Sequence, residues 1–172
     1  MDYPQKLINF EIYKDGKILL GVADVELPDL EAITDEMSGA GIAGKVDVPV
    51  IGNYSSMTLK LGWNTTTEAA IKLAAPYAHN LQLHGSIQTS DFTTGKYNTK
   101  ALRVAVQATP KKTAIGKLAV ASGMDTSSEF EITYLKISLG NKDVVEIDKY
   151  NYICKIDDKD YLESVRRDLG KE

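Results

Sequence analysis

The sequence predicts a mainly β protein: an antiparallel sandwich or barrel of two packed sheets, with one flanking helix and a short C-terminal helix. Three observations point there. Apolar residues recur at period two through most of the chain. Helical periodicity is confined to two short segments. The elements do not follow a β-α-β-α order, so a doubly wound parallel sheet is not expected.

The elements follow in chain order. Ile8, Phe10 and Ile12 alternate with polar neighbours up to Asp15-Gly16, a hairpin turn, after which Ile18, Leu20 and Val22 resume the alternation. After Pro28, residues 30–37 read as a less regular strand. The stretch from Gly39 to Tyr54 reads as a long loop, because three glycines and Pro49 interrupt it. Met57, Leu59, Leu61 and Trp63 then alternate with Ser56, Thr58, Lys60 and Gly62, a half-buried strand with one polar face. Thr65-x-x-Glu68 is a capping box opening a helix with Ala70, Leu73, Ala74 and Tyr77 on its apolar stripe, ended or kinked by Pro76.

Two further strands show the same alternation. Leu81, Leu83 and Ile87 oppose Gln82, His84, Ser86 and Gln88, and Leu102, Val104 and Val106 oppose Arg103, Ala105 and Gln107. Leu118 and Val120 suggest a short additional strand. Residues 129–139 and 143–156 form a long hairpin about Gly140-Asn141-Lys142. In its first arm the apolar face switches from Phe130, Ile132 and Tyr134 to Leu135, Ile137 and Leu139; in its second it switches from Val145 and Ile147 to Tyr150, Tyr152, Cys154 and Ile156. A change of face in a period-two element predicts a bulge, or a strand passing from one sheet to another. The terminal helix carries Leu162, Val165 and Leu169 on one face, with Asp157 or Asp158 as cap and Gly170 as stop.

The 172 residues suit a single domain spanning 1–172. A chain of this size buries about 70% of its unfolded surface and needs no disulfide or metal to hold a core. Its net charge of −4 argues against a basic footprint for nucleic acid. The single cysteine excludes an internal disulfide. No apolar run reaches the ~18 residues that span a bilayer, and "MDYPQKLINF" is not a signal peptide. The expectation is a chain made and folded in a cytoplasm, without stable membrane insertion, where the sequons at Asn53 and Asn64 stay idle.

Motifs that could carry chemistry are few. Gly39, Gly41 and Gly44 match G-x-G-x-x-G, but "KVDVPVIG" follows where a helix should open. No acidic residue stands at the ribose position about 20 residues on, so a dinucleotide cofactor is not expected. His79 and His84 lack partners at metal-ligand spacing and are expected to be solvated. Cys154 reads as a buried inert thiol among Tyr150, Tyr152 and Ile156. "KIDDKDYLE" lacks the glycine of a calcium loop and reads as helix-capping carboxylates. "TPKKT" reads as a solvated basic turn. No catalytic, cofactor or metal site is expected, and the residues point to a structural module that assembles with copies of itself. The competing readings are a small β-barrel that binds an apolar ligand and a nucleotide-using enzyme built on the glycine stretch.

The quoted segments resemble a known family. "KLINFEIYKDG" with "LLGVADVELPDLE", "SGAGIAGKVDVPVIG", "SMTLKLGWNT" with "KLAAPYAHNLQLHGSIQ", and the run from "DTSSEFEITYLKISLG" to "YLESVRRDLG" are similar to the major tail tube proteins of contractile-tailed (myovirus-type) phages and phage-tail-like bacteriocins. The resemblance covers nearly the whole chain; "TSDFTTGKYNTKA" is its least typical part. It implies the phage tail tube fold and a non-enzymatic protein. Six copies would form a ring whose inner strands join into one barrel, and rings would stack into the inner tube of a contractile tail, a conduit for DNA or ions across the target envelope. It implies sheath, baseplate and tail terminator proteins as partners, DNA passing through the lumen without sequence-specific binding, and a place in a virion or tail-like particle assembled in a host bacterial cytoplasm. The loop at 39–54, with Gly39, Gly41, Ile42, Gly44, Val46, Val48 and Pro49, would then reach the next ring. Ser56, Thr58, Lys60, Gln82, His84, Ser86 and Gln88 would be the lumen-facing candidates.

Overall fold

The computed structural model describes residues 1–171. Its strands are β1 (Asp2–Lys14), β2 (Ile18–Leu20), β3 (Asp24–Glu26), β4 (Ala32–Ser38), β5 (Lys45–Tyr54), β6 (Thr58–Trp63), β7 (His79–Asp91), β8 (Tyr97–Ala114), β9 (Thr126–Leu139), β10 (Lys142–Asp148), β11 (Ile153–Ile156) and β12 (Lys159–Asp160). The helices are α1 (Glu68–Lys72), between β6 and β7, and α2 (Glu163–Asp168) at the end. Ten strands form one hydrogen-bonded sheet in the order β12-β11-β10-β9-β8-β7-β1-β2, with β6 branching from β9 and β3 from β6. All pairings are antiparallel.

The bend that folds this sheet into two layers lies where the apolar face of β9 changes phase. Residues Thr126–Glu131 of β9 pair with β6, while Tyr134–Leu139 pair with β10. Along its other edge β9 pairs with β8, whose register slips between Gln107–Tyr134 and Ala108–Ile132 and leaves Thr133 over. The Thr133 carbonyl accepts a hydrogen bond from the Lys149 amide (3.1 Å), so the bulge leaves that group satisfied. The second expected phase switch has a different cause: the chain turns at 149–152 and begins β11, so Val145–Ile147 and Cys154–Ile156 lie on two strands rather than one.

The core lies between the layers. Met57, Leu59, Leu61 and Trp63 from β6 and its entry meet Leu81 of β7, Val104, Val106 and Ala108 of β8, Phe130, Ile132 and Leu135 of β9, Ile147 of β10 and Cys154 of β11, all buried. Cys154 is a buried thiol, as its aromatic neighbours predicted. Gly62 has its place because a Cβ there would lie 1.7 Å from Oδ1 of Asp24 on the paired strand β3.

Several local expectations are corrected. Residues 45–54 are not loop but strand β5, paired with β4; β5 has one neighbour, so Pro49 costs no central ladder bond. "TPKKT" lies inside β8, where the slip between Pro110 and Lys112 absorbs Lys111 as an extra residue. Helix α1 is capped by Thr67 rather than Thr65: the helix opens at Glu68, and the Thr67 hydroxyl accepts from the Ala70 amide (3.1 Å). The helix ends at Lys72, and only Ala70 and Leu73 of its expected stripe are buried. At α2, Asp160 rather than Asp157 or Asp158 accepts from the Leu162 amide (3.1 Å). Asp157 and Asp158 instead make the β11–β12 turn at φ 52° and 65°.

Leu118 and Val120 belong to no strand; residues 115–125 form a loop. Gly116, at φ 103°, lets this loop close, since a Cβ would stand 2.1 Å from the Met124 carbonyl oxygen. Gly116→Ala is expected to lower stability by about 2 kcal/mol in a urea melt, combining left-handed strain with that clash. Gly95→Ala, also at positive φ but in open space, is the control and should cost less.

His79 is buried rather than solvated, and it is in phase with Leu81 and Leu83. Its Nε2 lies 3.1 Å from the Ala75 carbonyl oxygen, Nδ1 has no partner, and the ring packs on Tyr77 at 4.2 Å. Burial holds its pKa below the ordinary histidine value; among nearby charges Lys14 lowers it further, while Asp15 opposes. Protonation is therefore favoured in the unfolded chain, and the neutral ring's stabilisation is complete above about pH 6.5 and is lost as pH falls through the folded-state pKa. The urea midpoint should drop between neutral and mildly acidic pH, and His79→Gln should flatten that drop. Equal slopes in both proteins would show that this ring is not responsible.

Candidate assembly surfaces

Strands β4 and β5 form a separate two-stranded ribbon, and residues 33–51 are exposed throughout. The cross-strand pairs Met37–Val46 and Asp35–Val48 share one face, and by alternation Ile33 and Val50 join it. That face is apolar except for Asp35. Ile33, Met37, Val46, Val48 and Val50 stand 37–49% exposed. The opposite face carries Thr34, Glu36, Ser38, Lys45, Asp47 and Pro49, with a 3.4 Å ion pair between Glu36 and Lys45.

The glycine motif is the tip of this arm. Gly39, Gly41 and Gly44 adopt φ of 142°, 89° and 110°, where a side chain is strained, and the Ile42 amide closes the turn on the Gly39 carbonyl (3.1 Å). The base is fixed to the body. The Gly52 Cα packs on Leu162 so closely that a Cβ would lie 2.6 Å from it, the Ser55 amide donates to the Glu31 carbonyl (2.8 Å), and Lys149 Nζ donates to the Ser55 carbonyl (2.9 Å). A lone two-stranded ribbon is marginal in water. Burying what remains exposed of those five apolar side chains would stabilise a contact by about 4 kcal/mol per arm.

A second open surface is the outer edge of β1. Strand β2 covers it only at Ile12–Lys14, so Asp2–Glu11 presents backbone groups to no other strand among the described residues. Tyr3, Leu7 and Ile8 on this strand are 46–55% exposed. A long uncovered edge with apolar side chains is a template for pairing with another chain.

The seven polar residues singled out in the sequence fall into two patches. Gln82, His84, Ser86 and Gln88 lie together on the outer face of β7, between Tyr13, Glu11, Asn9 and Lys6 of β1 and Ala105, Arg103, Ala101 and Thr99 of β8. The His84 ring packs on Tyr13 at 5.0 Å, and burial followed by the Arg103 charge lowers its pKa. Ser56, Thr58 and Lys60 lie apart from these, in an open cleft of about 400 Å³ with Glu26, Asp29, Glu31, Lys111 and Glu129. Ser56 Oγ donates to Glu131 (2.6 Å) and Lys111 Nζ to Thr58 Oγ1 (2.7 Å), with Lys111 3.2 Å from the Glu131 carboxylate. Burial alone would raise the Glu131 pKa; the hydrogen bonds from Ser56 and Lys111 carry it below the ordinary value.

The sequence missed the apolar loop at 115–125 and the β1 edge as surfaces. The first was hidden by taking Leu118 and Val120 for a strand, the second because no alternation pattern tells an edge from a centre. An apolar depression lined by Leu7, Phe10, Val25, Leu27, Leu83 and Leu102 holds only about 90 Å³. A drug-sized ligand site needs roughly 300–1,000 Å³.

The antiparallel β module thus leaves an amphipathic arm and a long strand edge open to contact with other chains. The chain belongs to the phage tail tube protein FII family, which it matches over residues 4–170. It is 31% identical to the tail tube protein of Escherichia phage P2, over 99% of both chains. To the major tail tube protein of Serratia phage KSP20 it is 28% identical, over 99% of this chain and 98% of that one. Among solved structures it is similar to a chain of the sheath–tube complex of PVC, an extracellular contractile injection system in its extended state (TM-score 0.51, 14% identity, 83% of this chain and 93% of that one). It is also similar to a chain of the tube-terminating cap of the anti-feeding prophage (TM-score 0.50, 12% identity, 83% and 94%). At these identities the likeness is one of fold. The family is structural, and a tail tube protein is a component of a virion or tail-like particle.

Proposed function

We propose that six copies of this chain close into a ring and that rings stack into the hollow inner tube of a contractile tail. The observation that carries this reading is the arm: an exposed ribbon with one apolar face, anchored at its base and left uncovered among the described residues. The β1 edge supplies the lateral contact, since strand addition between copies closes the sheet and removes its exposed edge. On this arrangement the β7 face carrying Gln82, His84, Ser86 and Gln88 lines the lumen, because those residues sit beside the β1 edge through which the ring closes. Its Gln, His and Ser side chains are polar rather than strongly basic, and Lys6 and Arg103 with Glu11 are the charges in the flanking rows, so few groups there would grip the phosphates of passing DNA. Ser56, Thr58 and Lys60, on the β6 branch beyond the bend, then lie outside the lining. Sheath, baseplate and terminator proteins are the partners, supported by relatives whose chains come from a sheath–tube complex and a tube cap. End-on electron micrographs of tubes grown from purified protein should show sixfold rings around a stain-filled channel; a different symmetry or a solid filament would contradict the proposal.

A further inference from the structure

We infer that the seat of the arm is the 115–125 loop of a copy in the adjoining ring, an assignment that rests on the tube reading and names the two contacting surfaces. The arm and this loop lie at opposite ends of one strand. The arm's base joins Ser55, next to Met57 at the start of β6, while the loop is tied to Asn64 just beyond the end of β6, where Met124 donates to the Asn64 carbonyl (2.9 Å). Seven residues of extended chain separate those points by about 23 Å. Two different surfaces at opposite ends of a subunit make a head-to-tail contact that does not close on itself, and such contacts generate open stacks.

The loop has the build of a receptor. It is pinned by hydrogen bonds from Thr66 Oγ1 and Thr126 Oγ1 to the Ile115 carbonyl (both 2.8 Å) and from the Lys117 amide to the Met124 carbonyl (2.8 Å). Yet Leu118 is 89% and Val120 99% exposed, with Ile115 at 61%. A loop whose backbone is already pinned needs little further backbone ordering when its apolar side chains are covered, which favours docking. The charges are also compatible. The arm carries Asp35, Glu36 and Asp47 against Lys45, while in the loop Lys117 is paired with Asp125 (3.1 Å), so the loop adds no net charge of its own. Two acidic arms repel each other, whereas a neutral loop with apolar side chains accepts one without that penalty.

The test uses the full chain with Val48→Cys and Leu118→Cys combined; the native Cys154 is buried and stays. Oxidised tubes of the double variant should run as a covalent ladder on a non-reducing gel, while each single variant runs largely as monomer. A companion variant, Leu118→Asp with Val120→Asp, should form rings and lose tubes. Tubes that form from the double cysteine variant without a ladder, or tubes of wild-type length from the aspartate variant, overturn the assignment and leave the tube reading standing. A wild-type protein that forms neither rings nor tubes overturns both.

Discussion

Replacing residues 35–48 by an Asn-Gly turn between Thr34 and Pro49 yields a subunit that folds and does not form tubes. Thr34 and Pro49 are directly paired, so a two-residue turn can join them. None of the excised residues is buried, and the core cluster lies wholly outside them. Thermal stability of the dispersed subunit should therefore change by less than about 1 kcal/mol, the range of surface changes. Of the five apolar side chains the excision removes Met37, Val46 and Val48, so assembly loses about 2.5 kcal/mol at every arm of every ring, roughly 70-fold in each association constant. Circular dichroism melts together with electron micrographs of the same sample check both halves. Normal tubes from this variant would remove the arm from the account; an unfolded variant would show that the ribbon supports the sandwich.

Phe130→Ala should destabilise the folded subunit itself, apart from any effect on assembly. Phe130 is fully buried, faces Leu59 across the β6 pairing and Pro110 across the β8 pairing, and lies three residues before the bulge where β9 changes partners. Truncating a buried phenylalanine costs about 3–5 kcal/mol in lost burial and cavity formation. For a chain of this length that lowers the Tm by about 10 °C. Tyr150→Ala, at a side chain 75% exposed, is the control and should shift it little. A loss at Phe130 no larger than at Tyr150 would mean that the layers do not close over this ring.

The fold was legible wherever one face of a strand is buried. Met57, Leu59, Leu61 and Trp63 are all core, and the switch from Ile132 to Leu135 marked a real bulge. His79 was misjudged because its chemistry was weighed and its parity was not; two residues before Leu81, it shares the buried face. Strand β5 was hidden for the opposite reason. Its valines are regular, but no core lies beneath them, and Pro49 with three glycines suggested a loop. On the proposed assembly the ribbon is covered by another chain, which one subunit's sequence does not contain. The spacing of the glycines at 39, 41 and 44 fitted a pyrophosphate loop, and the structure uses their positive φ to turn the arm. The polar faces of β6 and β7 look alike in sequence; the structure separates them into two patches, one beside the β1 edge and one in the cleft by Lys111.

Negative-stain electron microscopy of the purified wild-type chain tests the central claim most directly. Hollow tubes of uniform diameter built from stacked rings are the predicted result; a protein that stays monomeric across concentration, with its arm still exposed, would contradict it.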